Sequence, residues 1–277
     1  MNRRTVFFVS DQTGITAETL GHSLLTQFEG IKFKQITVPF ISDVDKASEV
    51  VQRINLTAQV EGYKPIVFST FVQNDLREIM AGCNGVFMDF FDAFIGPLER
   101  SLEMKSTHTT GKAHGRADSE AYTRRIDAMN FAVANDDGVT TRNYDRADIV
   151  LLGVSRSGKT PTCLYLALHY GIFAANYPLT EDELDKRSLP ASLQDYRNKL
   201  YGLTIEPDRL QQIRGERKPD SRYASAQQVG FELRAAEAMY QSNAIPYINT
   251  TKSSIEEIAS QIIHERRIKR GNSGHGD

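Results

Sequence analysis

Short apolar runs alternate with stretches of helical spacing along most of this chain. Residues 6–9, Val-Phe-Phe-Val, form a continuous apolar run of the kind found in strands buried on both faces. Helical spacing follows over 15–28, with Leu20, Leu24 and Phe28 on one stripe. A second strand is expected over 35–41, after which Ser42 or Asp43 offers a cap for a helix over 44–60. Residues 66–68 read as a third strand and 74–80 as a short helix. Strand and helix in turn predict a parallel sheet flanked by helices.

The rhythm breaks over 99–125, and polar, charged and small residues dominate over 105–125. This stretch reads as a linker or mobile loop, and it carries His114. A helix is expected over 122–134, ending at Asn135-Asp136-Asp137-Gly138. Alternation then resumes with a strand over 149–152, a helix over 159–169 and a strand over 173–176 that Pro178 ends. A strand over 203–205 precedes a helix that enters at Pro207. The helix over 226–242 lines up Val229, Leu233, Ala236 and Tyr240 on one stripe. Residues 245–249 give the last strand and 255–266 the last helix, with Glu256 and Glu257 in its first turn. The expected fold class is α/β. An N-terminal Rossmann-like α/β domain covers 1–104, a linker and helical segment 105–143, a P-loop kinase-like α/β domain 144–270 and a disordered tail 271–277.

Composition narrows the class. Lys and Arg number 33 against 35 Asp and Glu, a net charge of −2, so no basic surplus argues for a nucleic-acid partner. Cys83 and Cys163 are the only cysteines and form no ligand spacing, which points to a reducing compartment. The six histidines form no metal spacing either. The first apolar run is too short for a signal peptide or a membrane span. A cytoplasmic, soluble protein with no membrane partner is expected.

The chemistry centres on Gly153-Val154-Ser155-Arg156-Ser157-Gly158-Lys159-Thr160, which fits G-x-x-x-x-G-K-[ST] without a mismatch. A chain of this size matches by chance roughly one time in a hundred, and the flanking strand and helix supply the context the motif needs. Backbone N–H groups of such a loop wrap phosphates, and the helix that follows adds its positive end. Lys159 is expected to reach the terminal phosphate and Thr160 to hold Mg2+. Arg156 could touch the nucleotide or a phosphorylated partner. Asp136 and Asp137 could offer one carboxylate to the metal and one to the acceptor hydroxyl, or form an ordinary helix-ending turn. Arg209, Arg214, Arg217 and Arg222 could fold over phosphates or remain solvated. Ser10, Asp11, Thr13 and Gly14 follow the first strand and could form an anion site or a plain capping turn. These residues alone leave three functions open: a protein kinase, an ATP-dependent small-metabolite kinase, or a non-catalytic nucleotide-sensing module.

Several segments together resemble the bacterial phosphoenolpyruvate synthase regulatory proteins, bifunctional kinase/pyrophosphorylases of a family shared with the pyruvate, phosphate dikinase regulators. They include Val9-Ser10-Asp11-Gln12-Thr13-Gly14-Ile15-Thr16-Ala17-Glu18, Asn135-Asp136-Asp137-Gly138 and the loop extended to Lys159-Thr160-Pro161-Thr162. Ala174-Ala175-Asn176-Tyr177-Pro178, Ser221-Arg222-Tyr223-Ala224-Ser225 and Ile248-Asn249-Thr250-Thr251 belong to the same set. The resemblance implies an activity in which ADP phosphorylates a threonine of phosphoenolpyruvate synthase and inactivates it. That threonine lies near the synthase's catalytic histidine, which must first carry a phosphoryl group. The resemblance also implies the reverse regulation, in which inorganic phosphate removes the group and pyrophosphate leaves. A second anion pocket would then be needed, with the 10–14 turn and the arginines as candidates, and a homo-oligomer is compatible with a regulator. Asn135 stands where the family commonly has His, and Gln12 where it commonly has a small residue. Gly158 before Lys159 tilts the target towards the synthase rather than the dikinase.

Overall fold

The computed structural model describes residues 3–107, 119–136, 138, 141–186, 188–219 and 221–268. The chain divides into two compact units, Met1–Gly115 and Arg116–Asp277.

The first unit is built on β1 (Arg3–Ser10), β2 (Lys32–Val38), β3 (Ile66–Thr70) and β4 (Val86–Asp89), all parallel in the order β2-β1-β3-β4. Four helices accompany them: α1 (Ile15–Leu25), α2 (Val44–Glu61), α3 (Asn74–Ala81) and α4 (Phe90–Leu102). Successive residues of a strand point to opposite faces. Phe7 and Val9 therefore pack with Ala47, Val50 and Ile54 of α2, while Val6 and Phe8 pack with Ala17 and Leu25 of α1. Asp43 caps α2 by accepting the Lys46 N–H. The expected stripe on α1 is corrected. The helix ends at Leu25, and Leu20, Leu24 and Phe28 are all exposed. Ala17, Gly21 and Leu25 form the buried face instead. Close packing explains it, because a Cβ on Gly21 would stand 2.5 Å from the Phe8 ring and 2.6 Å from that of Phe68. At position 21 only a residue without a side chain fits beneath the helix. The strand expected over 35–41 begins three residues earlier, and β4 and α4 occupy a stretch with no clear sequence pattern.

The second unit starts with α5 (Ser119–Ala134), expected in a connecting segment, which packs on the helix after the glycine loop. Its sheet holds β5 (Ile149–Gly153), β6 (Ala174–Pro178), β7 (Leu200–Thr204) and β8 (Tyr247–Asn249), parallel and in the order β6-β5-β7-β8. Alternate β5 residues feed two cores. Ile149 and Leu151 meet α6 (Lys159–Tyr170) and the last helix of the chain, through Cys163, Leu166, Ile258 and Ile262. Val150 and Leu152 belong to the opposite core. It includes Leu184 of α7 (Glu181–Lys186), Leu210 of α8 (Pro207–Arg217) and Val229, Leu233 and Tyr240 of α9 (Ala226–Ser242). The chain ends its described part with α10 (Ile255–Arg266). Ser254 accepts the Glu257 N–H and Glu257 accepts the Ser254 N–H, a full capping box. The path runs from β5 to β6 on one side and then crosses to β7 on the other, so the switch in direction falls at the C-terminal end of β5. Open α/β sheets bind ligands at such a point.

Candidate functional site

The loop of interest sits at that switch. Gly153 ends β5, and a Cβ there would lie 2.5 Å from the Ser157 hydroxyl and 2.8 Å from the Leu203 carbonyl. The loop can therefore fold back on its own strand only because position 153 has no side chain. Gly158 is left-handed at φ 93°, a conformation that glycine adopts without strain. Arg156 is also left-handed, at φ 74°, where a side chain is disfavoured. α6 begins at Lys159 with no side-chain cap, which leaves its first N–H groups available to a ligand.

Lys159 lies 95% buried, 5% of it accessible, beneath this loop and donates from Nζ to the Val154 carbonyl at 2.8 Å. Burial pushes its pKa down to about 8, and the Asp136 carboxylate opposes that shift. The Ser157 hydroxyl is buried and has no hydrogen-bond partner.

Thr160 meets one residue from outside the loop, and that residue links it to a second. Asn176 on β6 donates from Nδ2 to the Thr160 hydroxyl at 3.1 Å and to the Asp136 carboxylate at 3.0 Å. The Asn176 backbone N–H in turn donates to the Asn135 carbonyl at 2.9 Å, which pins the turn after α5 to β6. Asn135 and Asn176 are both buried, and each leaves its Oδ1 without a partner. Asp137 lies outside the described residues, as does His114. Cys163 lies beneath the site, and burial pushes its thiol far up, so it is an inert packing group.

The arginines diverge. Arg214 is fully buried and directed into the protein: Nε and Nη2 bond the Ser155 carbonyl and Nη1 bonds the Tyr223 carbonyl. Its expected place among groups facing phosphate or target is corrected accordingly. Arg222 is exposed and paired with Glu181, Arg209 bonds Gln212 at 2.8 Å, and Arg156 and Arg217 are exposed. Ser10, Asp11, Thr13 and Gly14 belong to the first unit. Ser10 accepts the Gln12 N–H, Asp11 accepts the Val72 N–H, Thr13 is exposed and Gly14 opens α1 at φ 77°.

Two contributors escaped the sequence reading. Asn176 had a signal, as a polar residue inside the apolar run 173–177. Thr250 donates to the Ser157 carbonyl at 3.3 Å and the Thr204 carbonyl at 3.1 Å; it lies in the family-like segment 248–251, where no local pattern marks that contact. Among the described residues no group of three or more His, Cys, Asp or Glu side chains could hold a metal ion, and no helix is long and apolar enough to cross a membrane.

Fold and site together define an α/β protein with a strand, glycine loop and helix at a sheet switch point. A model of the kinase/pyrophosphorylase family matches residues 6–263, and the chain belongs to that family. It is 55% identical to a protein of Alkalilimnicola ehrlichii over 97% of both chains. Identity is 52% to one of Marinobacter nauticus (97% of this chain, 99% of the other). It is 53% to one of Alcanivorax borkumensis (97% and 98%). Each of the three carries the provisional name phosphoenolpyruvate synthase regulatory protein. The solved structure of a LacI transcriptional regulator from Lactobacillus brevis covers 89% of this chain at 10% identity with a TM-score of 0.21, too distant to carry an argument.

Proposed function

We propose that this chain regulates phosphoenolpyruvate synthase in the cytoplasm by moving a phosphoryl group from ADP to a threonine of the synthase. In the opposite sense, inorganic phosphate removes that group. The observation that carries the reading is the bridge Asn176 makes from Asp136 to Thr160 at the start of α6, beside the buried Lys159 whose charge Asp136 supports.

The donor set suits a magnesium-bound diphosphate. The Gly153 position leaves room for a close backbone approach, the Ser157 hydroxyl lacks a partner, and hydroxyl and carboxylate oxygens at Thr160 and Asp136 are the hard ligands Mg2+ takes. Bound there, Mg2+ would neutralise phosphate charge and help align the transferring group. Lys159 would exchange the Val154 carbonyl for the β-phosphate of ADP. Loop N–H groups and the α6 terminus would stabilise the spreading negative charge. The threonine oxygen attacks the β-phosphorus, its bond to the α–β bridging oxygen breaks, and AMP leaves. The acceptor's proton passes to a carboxylate, for which Asp137 is the candidate when Asp136 serves the metal. In removal, an oxygen of inorganic phosphate attacks the phosphothreonine phosphorus, the bond to the threonine oxygen breaks, pyrophosphate forms, and the phosphate's proton passes to the freed threonine oxygen through the same carboxylate.

The test is donor and acceptor together. Protein, β-labelled ADP and histidine-phosphorylated synthase should yield label on a synthase threonine, and unlabelled phosphate should release it as pyrophosphate. Label from ATP alone, appearing on a small molecule, would assign a metabolite kinase. Nucleotide binding without transfer would assign a sensing module.

A further inference from the structure

Arg214 is the largest fully buried side chain among the described residues, and the chemistry above makes no use of it. Four of its five N–H groups are matched, by the Ser155 carbonyl twice, the Tyr223 carbonyl and the Glu232 carboxylate at 2.7 Å. The guanidinium also lies 4.2 Å from the centre of the Tyr223 ring. The Tyr223 hydroxyl closes the circuit on the Ser155 hydroxyl at 2.8 Å. One buried cation thus joins α8, the short turn 222–224, α9 and the glycine loop.

The direction of the Ser155 carbonyl matters. No cis peptide bond occurs among the described residues, and in a planar trans peptide the C=O and the next N–H point in opposite senses. An arginine fork that draws the Ser155 carbonyl towards the protein therefore turns the Arg156 N–H to the opposite side, away from the interior, at a residue that is itself exposed. The same peptide leads into the left-handed Arg156, a conformation that needs outside support. Lysine could keep the charge opposite Glu232 but could not place two donors on one carbonyl while reaching a second.

We propose that Arg214 is a positioning residue for phosphate binding. It holds the Ser155–Arg156 peptide so that the Arg156 N–H faces the bound phosphate. The proposal rests on the phosphate-loop reading given above.

Isothermal titration with inorganic pyrophosphate and with ADP, each with Mg2+, is run on the wild-type protein, Arg214→Lys and Glu232→Gln. Melting temperatures and the Arg156 backbone amide resonance are followed alongside. In the wild type the Arg156 amide proton should shift downfield on adding pyrophosphate. Arg214→Lys should bind about ten-fold more weakly or worse, the worth of one charge-assisted hydrogen bond, with a smaller Arg156 shift. Glu232→Gln keeps the fork on Ser155, so it should lower the melting temperature yet hold affinity within about two-fold. A wild-type protein that binds neither probe overturns the phosphate-loop reading and this inference with it. Binding that leaves the wild-type Arg156 amide unmoved overturns this inference alone, even if Arg214→Lys cannot be folded. So does equal affinity in Arg214→Lys and wild type, or an affinity loss in Glu232→Gln that matches Arg214→Lys.

Discussion

Asn176 donates its side-chain amide to the Asp136 carboxylate at 3.0 Å, and the same nitrogen reaches the Thr160 hydroxyl at 3.1 Å. One neutral side chain thereby sets the spacing of the two oxygen ligands expected for Mg2+. Groups that orient ligands in this way commonly contribute about 10–100-fold to activity or metal affinity. Asn176→Ala should lower kcat by about that factor, and it should raise the Mg2+ concentration needed for half-maximal rate. Unchanged magnesium dependence would remove Asn176 from the site.

Asp136 and Asp137 should separate in the same assay. In the proposed site Asp136→Asn would remove an oxygen offered to Mg2+, so its defect should be partly relieved by excess Mg2+. Asp137→Asn should cut the rate far more than it weakens ADP binding, and excess Mg2+ should not restore it. Rate against Mg2+ concentration for both variants checks this, and identical curves would refute the division of roles.

Lys159 supplies a pH signature. Its pKa is pushed down to about 8 in the folded protein against an ordinary 10.5. Between those values the unfolded chain keeps a proton that the folded protein has lost, so stability rises with pH across that window. Below pH 8 both states are charged and the cost of burying the ammonium is fully present. A phosphate favours the charged lysine. ADP affinity should therefore fall as pH rises through about 8, and binding at pH 9 should take up about one proton. Calorimetry in buffers of different ionisation heat measures that uptake, and Lys159→Ala should abolish it.

Gly153→Ala should be costly for a steric reason. The added Cβ would meet the Leu203 carbonyl at 2.8 Å, a backbone atom that cannot swing aside. Overpacking of this kind costs about 1–3 kcal/mol. Chemical denaturation should show that loss together with loss of nucleotide binding, because the loop must move off its strand. Wild-type stability and binding would contradict the cradle geometry.

What was legible in the sequence was what neighbouring residues determine. The strand, the glycine loop and α6 occupy consecutive positions, and α8, α9 and α10 fall where Pro207, the Val229–Tyr240 stripe and the first-turn pair Glu256 and Glu257 place them. The Asp136–Asn176–Thr160 contact joins positions 40 and 16 residues apart, brought together by the pairing of β6 with β5. No local pattern encodes such a pairing. Arg214 misled for a related reason, since an arginine on a polar helix looks solvated or ligand-facing until Glu232 and the Ser155 carbonyl are seen around it. On α1 the large apolar residues drew attention, yet Gly21 marks the packed face because Phe8 and Phe68 already fill the space.

The central claim is that the loop between β5 and α6 grips the terminal phosphate of ADP through Lys159. Its most direct measurement is the melting temperature with and without Mg2+ and ADP, for the wild type and for Lys159→Ala. A ligand that binds only the folded state at about 100 times its Kd adds about 2.7 kcal/mol, so the wild-type melting temperature should rise by several degrees while that of Lys159→Ala barely moves. No rise in the wild type, or an equal rise in both proteins, would contradict the account.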